Sequence, residues 1–315
     1  MGASLFFYLD KEEKTMPNWC VNQIHVDGPD AERIEQLLME PKPLFHRQAT
    51  SAAVKMFLAG VGGLLKPTHP KTFAPYPELI QGVGDSTLAN RAFTRFVTLL
   101  NNDVELNHDV CLTLLTLFEQ TGLKQRYWGN LPKTARTKIA PLLKQSAFDW
   151  TGIFLRRLNV DVVWAKLDLP ALLPSDGSFS LNTLLPPCLL VELNGFNGHL
   201  FSHVPSGYDD NCDRLGTKWE TVNIEMLDEG ARFEFDTAWS PAIPPVAELA
   251  KRFPSSTITH YFAESGCAFC GYLEYTDGQK VAEQWDDLVF EEDDEGFHNP
   301  VSPDYIVEHF SCYGG

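Results

Sequence analysis

The chain has 315 residues, 44% of them hydrophobic and 12% aromatic, enough for two cores, yet no stretch nears the roughly 18–20 unbroken apolar residues of a membrane span. Its seven cysteines, an odd and scattered set, do not suit a disulfide-stapled secreted domain and read as reduced thiols of a cytoplasmic protein. Residues 205–315 carry 6 Lys or Arg against 23 Asp or Glu, which is the whole of the −17 net charge, while residues 41–166 hold 16 basic against 8 acidic side chains.

Residues 1–15 read as an N-terminal extension; their apolar run lacks the basic start and cleavage site of a signal peptide. From Met16, "NWCVNQIHVDG" alternates through Trp19, Val21, Ile24 and Val26, predicting a strand with a bulge near Asn22–Gln23. Asp27-Gly28-Pro29 is a turn, and Asp30 caps a helix whose stripe is Ile34, Leu37 and Leu38. Residues 16–43 are therefore a first strand and helix. Residues 44–168 change period: "TSAAVKMFLAGVGGLLKP", "LANRAFTRFVTLLNN", "HDVCLTLLTLFEQTGL" and "TARTKIAPLLKQSAF" are apolar at i, i+3 and i+4, a helical insertion of four or five helices.

Strand patterning returns over 169–285. "CLLVELNGF" reads as a strand, and "KWETVNIEML" and "ARFEFDTAW" as a hairpin about Asp228-Glu229-Gly230. "SPAIPPVAELAKRF" is a helix behind prolines, and "TITHYFAE", "CAFCGYLEYTDG" and "QKVAEQW" are further strands. Residues 286–315 form an acidic tail, expected to be solvated and partly disordered. The order predicts an α+β fold, a ferredoxin-like (split βαββαβ) sandwich with extra strands and a large helical insertion after the first helix.

Several long stretches, "MPNWCVNQIHVDGP", "LLVELNGFNGHL", "GTKWETVNIEM", "FEFDTAWSPAIPPVAELAKRF" and "GCAFCGYLEY", resemble the YubB-like family. The resemblance runs from Met16 nearly to the end. It implies a C-terminal ferredoxin-like domain and an accessory protein of mobile DNA (plasmid, phage or genomic island) in a bacterial cytoplasm. It carries no catalytic residue.

The chemistry is weighed residue by residue. Cys267 and Cys270 form a C-x-x-C, the weak metal candidate; a structural zinc site needs four ligands, there is no second such pair, and the nearest others are His260 in the preceding strand and His298, His309 and Cys312 in the tail. In a strand, residues i and i+3 face opposite ways, so the pair reads as strand cysteines. "AGVGGLLK" and "GVGDST" fit neither a dinucleotide fingerprint nor a P-loop and read as helix packing and a loop. The basic segment 124–157 has eight Lys or Arg and one acid, with aromatics between; Arg126 and Trp128 are its candidates for nucleic-acid contact. Lys218, Trp219, Asp236 and Trp239 on the hairpin are candidates for a partner-binding face, with a sheet core closed by an ion pair as the plain alternative. No cofactor and no enzymatic activity is expected. The charge asymmetry predicts a protein partner, or docking of one half on the other, or a merely solubilising face. A nucleic-acid partner and an enzyme of unassigned type are the alternatives, and an anti-defence or establishment role follows the family context.

Overall fold

The computed structural model describes residues 18–39, 43–151, 159–168, 180–227, 232–292, 296 and 298–310. Chain order is β1 (Trp19–Asp27), α1 (Ala31–Met39), α2 (Pro43–Val61), α3 (Leu88–Asn101), α4 (His108–Thr121), α5 (Lys133–Thr151), α6 (Val160–Lys166), α7 (Leu189–Asn194) and α8 (Gly207–Arg214). There follow β2 (Val222–Leu227), β3 (Arg232–Ala238), α9 (Ile243–Arg252), β4 (Thr257–Glu264), β5 (Phe269–Thr276), β6 (Gln279–Asp287), β7 (Val289–Glu292), β8 (His298–Ser302) and α10 (Asp304–Val307).

The main sheet has the order β2-β3-β1-β4-β5-β6, with every neighbouring pair antiparallel. Its β2-β3-β1-β4 half, crossed by α1 and α9, is the ferredoxin-like arrangement, and β5 and β6 are the added strands. Alternation sorts the faces. Ile24, Phe233, Phe235, Ile258, Phe262 and Leu273 point toward the buried stripes Ile34 and Leu38 of α1 and Val246 and Leu249 of α9. Fully burying each such side chain contributes about 1.5–3 kcal/mol.

The bulge expected in β1 is absent. Trp19 to Asp27 pair in unbroken register with β3 and β4. Asn22 and Gln23 interrupted the apolar pattern because β1 is covered on both faces, and both amides are buried and hydrogen-bonded. Asn22 donates to Thr237 Oγ1 (2.8 Å) and accepts from Ala242 N–H (3.0 Å), tying β1 to β3 and to the start of α9.

The helical unit is built around α2, whose Ala49, Ala52, Ala53, Met56, Phe57 and Ala59 are all buried. Small residues let neighbours approach: a Cβ on Gly60 would stand 2.4 Å from Phe93 Cζ, so this glycine serves packing, as expected of "AGVGGLLK". This unit reaches beyond the boundary at 168. Leu189, Leu190, Leu193 and Phe201 belong to its core, and "CLLVELNGF" is the helix α7 rather than a strand. A short apolar run has no readable period. Here Leu189 N–H donates to Val104 O and Leu190 N–H to Asp103 Oδ1, which satisfies the first turn of a helix.

The acidic tail is also folded where it is described. β7 and β8 pair as a hairpin, and Ile306 and Phe310 are buried against Val21, Ala263 and Cys270 on the sheet face opposite α1 and α9. Charge dominated its composition, but Leu288, Phe290, Ile306 and Phe310 supply enough apolar surface to dock it. Residues 1–15, Arg156, Arg157 and Cys312 lie outside the described residues. Among the described residues no helix is long and apolar enough to cross a membrane.

Candidate functional site

The C-x-x-C splits between a turn and a strand. Buried Glu264 ends β4 and accepts from the N–H groups of Gly266 and Cys267, each at 2.7 Å, folding the turn so that Cys267 stands exposed before β5 begins. Cys270 is on β5 with its sulfur donating to Asp286 O. Glu264 pushes the Cys267 thiol up, and burial pushes Cys270 up to about 11, so neither is held as a thiolate. No group of three or more metal-ligating side chains converges among the described residues.

Of the four hairpin candidates, Lys218 and Trp239 meet. The Lys218 amine lies 4.5 Å over the Trp239 ring, and Trp219 packs edge-on against Trp19 at 6.4 Å. Trp239 has φ of 70°, a left-handed backbone that costs a bulky residue of order 1 kcal/mol, and its N–H donates to Asn18 O. Asp236 sits in register between Val21 and Val222 on the face away from α1. All four are half-buried at or near one end of the sheet.

Arg126 and Trp128 separate. Trp128 is buried against Trp164, whose indole donates to Arg126 O at 2.8 Å. The aromatic left in solvent is Tyr127, 71% exposed beside the exposed Arg126. Nearby, Lys55 is wholly buried in α2, ion-paired with Asp168 and 4.9 Å from the Trp164 ring. Burial pulls its pKa down and the carboxylate partner opposes that.

Two further features carry no sequence motif. Between the helical unit and the sandwich lies a cleft of about 260 Å³, with His46, His108, Cys111 and Arg252 in its wall. Arg252 donates to Glu248, Thr183 O and Leu184 O, and burial holds the Cys111 thiol up at about 12, while the buried His46 Nε2 makes no hydrogen bond and stands 3.9 Å from Glu192. The second is the outer edge of the sheet. β6 is exposed along its length, with Val281 57% and Trp285 47% in solvent among Glu283, Asp286 and Asp287. Hydrogen bonds from Lys280 and Trp285 hold Glu283 below the usual carboxylate range; those from Tyr305 and Gln284 do so for Asp286. That "QKVAEQW" is a strand was legible, but which strand lies at an edge follows from topology alone.

Comparison with known proteins gives the lineage. A family described as "Protein of unknown function (DUF1281)" matches residues 42–219, and one described as "Ferredoxin-like domain in Api92-like protein" matches residues 216–301. "Uncharacterized protein YubA" of Escherichia coli (strain K12) is 37% identical over 155 residues, 48% of this chain and 92% of YubA. "Uncharacterized protein YubB" of the same organism is 36% identical over 144 residues, 44% of this chain and 99% of YubB. The crystal structure of protein api92 from Yersinia pseudotuberculosis, itself of DUF1281, superposes with a TM-score of 0.72 at 26% identity, covering 85% of this chain and 98% of that one. The two matched regions meet where the helical unit gives way to the hairpin β2–β3. The chain belongs to the DUF1281 family and carries its ferredoxin-like domain at the C-terminal side.

Proposed function

We propose that the chain works by binding rather than by catalysis, as an accessory protein of mobile DNA in a bacterial cytoplasm, and that its partner is a basic protein. The observation that supports this is the exposed edge strand β6, on which Val281 and Trp285 stand in solvent with Glu283 and Asp287, while Tyr305 holds the Asp286 carboxylate on the other face. Exposed apolar side chains among an excess of carboxylates, three against the single Lys280 that pairs with Glu283, suit a partner that brings basic groups, which steers approach and sets register. An anti-defence or establishment role fits this reading. The test is capture of host or element proteins at moderate salt by the wild-type chain and by a variant with Glu283, Asp286 and Asp287 changed to Lys. A protein captured by the first and lost from the second is expected. Equal capture by both would sink the acidic-surface reading.

A second reading keeps the basic segment as a nucleic-acid contact, favoured by exposed Tyr127 next to Arg126. A free ring beside a cation suits base stacking on a neutralised backbone. Fluorescence anisotropy with single- and double-stranded DNA and RNA decides it. Binding that weakens steeply with salt and falls in Tyr127→Ala supports the reading; salt-insensitive or Tyr127-independent binding removes it.

A further inference from the structure

The β6 edge has a backbone as well as side chains, and its direction is fixed by the ladder. The N–H of Leu288 donates to Ala268 O at 2.8 Å, one step beyond the pair Asp287–Phe269. In an antiparallel ladder the inward-bonded residues alternate. The N–H and C=O groups of Asp286, Gln284 and Ala282 therefore face β5, and those of Glu283, Trp285 and Asp287 face outward. Among the described residues no strand lies beyond β6.

An open strand of this length is a template for pairing, and proteins commonly guard such edges with charge and bulges. Here the guard is partial. The register shift near Val281 disturbs only the start of β6, and the pairing from Ala282 to Asp287 is regular. The charges discriminate rather than block. Two copies pairing β6 to β6 about Trp285 would set Glu283 of each against Asp287 of the other, a like-charge contact that disfavours self-association. A strand bearing Lys or Arg meets Asp287 favourably and shares Glu283 with Lys280, which already pairs with it. The Trp285 ring, resting 4.5 Å from Phe262 at its inner side and open at its outer side, offers an apolar platform to one side chain of that strand.

We infer that an extended basic segment of another protein adds to β6 as a seventh strand, hydrogen-bonded to the outward groups of Glu283, Trp285 and Asp287, with an apolar side chain on Trp285 and Lys or Arg beside the carboxylates. The inference rests on the binding reading above and specifies its geometry: main-chain bonds supply affinity and alternate side chains supply selection.

The test uses the full chain and two labelled ten-residue peptides, one alternating lysine with valine and one alternating glutamate with valine. Anisotropy titrations are run at near-physiological salt, and hydrogen exchange is followed over residues 282–288. The wild-type chain is expected to bind the lysine peptide at least tenfold more tightly than the glutamate peptide, with slowed exchange at Glu283, Trp285 and Asp287. Glu283→Pro removes one outward N–H without touching the ladder to β5, and is expected to weaken binding about tenfold with its melting temperature kept. A second variant, Trp285→Ala, leaves every backbone group in place and is expected to bind several-fold more weakly. No lysine-peptide binding, equal binding of both peptides, protection elsewhere on the chain, or full affinity in a folded Glu283→Pro overturns strand addition. If charge reversal still abolishes partner capture in that case, the acidic-surface reading survives and only its geometry falls. If capture is insensitive to charge, the underlying reading falls with it.

Discussion

At the scale of single residues, the most constrained group is His260. It is fully buried on β4, its Nε2 stands 2.9 Å from Asn22 Oδ1, and its Nδ1 has no hydrogen-bond partner. Asn22 Oδ1 already accepts from Ala242 N–H, so the shared hydrogen belongs to Nε2 and the imidazole is neutral. A second proton would sit on Nδ1 in the core with nothing to accept it, and burial lowers the His260 pKa to about 3. On the other sheet face His25 is lowered to about 4, first by burial and then by His309 and Arg232. Both values lie below the 6.5 of an unfolded histidine, so between them the unfolded chain binds more protons. The resulting stability is complete above about 6.5 and drains away as pH falls toward the folded values. The urea midpoint is therefore expected to drop from pH 7 to pH 5, and to drop less in His260→Phe. An equal drop in that variant would show that His260 does not contribute. None of this could be read from the chain, where His260 was one isolated histidine among nine. Its hydrogen-bond partner comes from position 22, on a strand 238 residues earlier in the chain.

Individual elements were legible where their period was long and their surroundings ordinary. The helices α2 to α5, the hairpin β2–β3, α9 and the strands β4 to β6 follow their apolar spacing. Two of the failures involve burial on more than one side. Strand β1 looked bulged because Asn22 and Gln23 fall inside it, yet a strand with cover on both faces can hold polar side chains when each is bonded. The run that forms α7 looked like a strand because Leu189, Leu190, Val191 and Leu193 crowd a six-residue helix of which only Glu192 is not buried, too short a run to show a period. Cys267 and Cys270 read as strand cysteines, yet only Cys270 is on the strand, because Glu264 folds Cys267 into an exposed turn. The candidate edge is the opposite case: every residue of β6 was visible, and its exposure depended on the strand order.

At the scale of the molecule, the C-terminal segment decides how much of the sheet is available. A ferredoxin-like sandwich covers one sheet face with helices and leaves the other to solvent or to a partner. Here α10 and residues 308–310 occupy that second face. Ile306 and Phe310 bury against Val21, Ala263 and Cys270, His309 lies 4.1 Å from the Tyr261 ring centre, and its carbonyl accepts from Gln23. Tyr305 donates to the Asp286 carboxylate at 2.7 Å, linking the cover to the side chains of β6. The α1 and α9 side of the sheet keeps its own core, with Phe262 and Leu249 at its centre, so loss of the cover should leave the sandwich folded. A chain ending at Ser302 is accordingly expected to keep its circular dichroism while exposing apolar surface over β1, β4 and β5. Cys270 reports the change: burial is the first cause of its raised thiol pKa, and the segment that buries it is the one removed. Maleimide labelling read by mass spectrometry should mark Cys267 but not Cys270 in the full chain, and both in the shortened one. Continued protection of Cys270 after truncation would mean that β7 and β8 cover this face without α10. That result would put the docking of the acidic segment on Leu288 and Phe290 instead of Ile306 and Phe310.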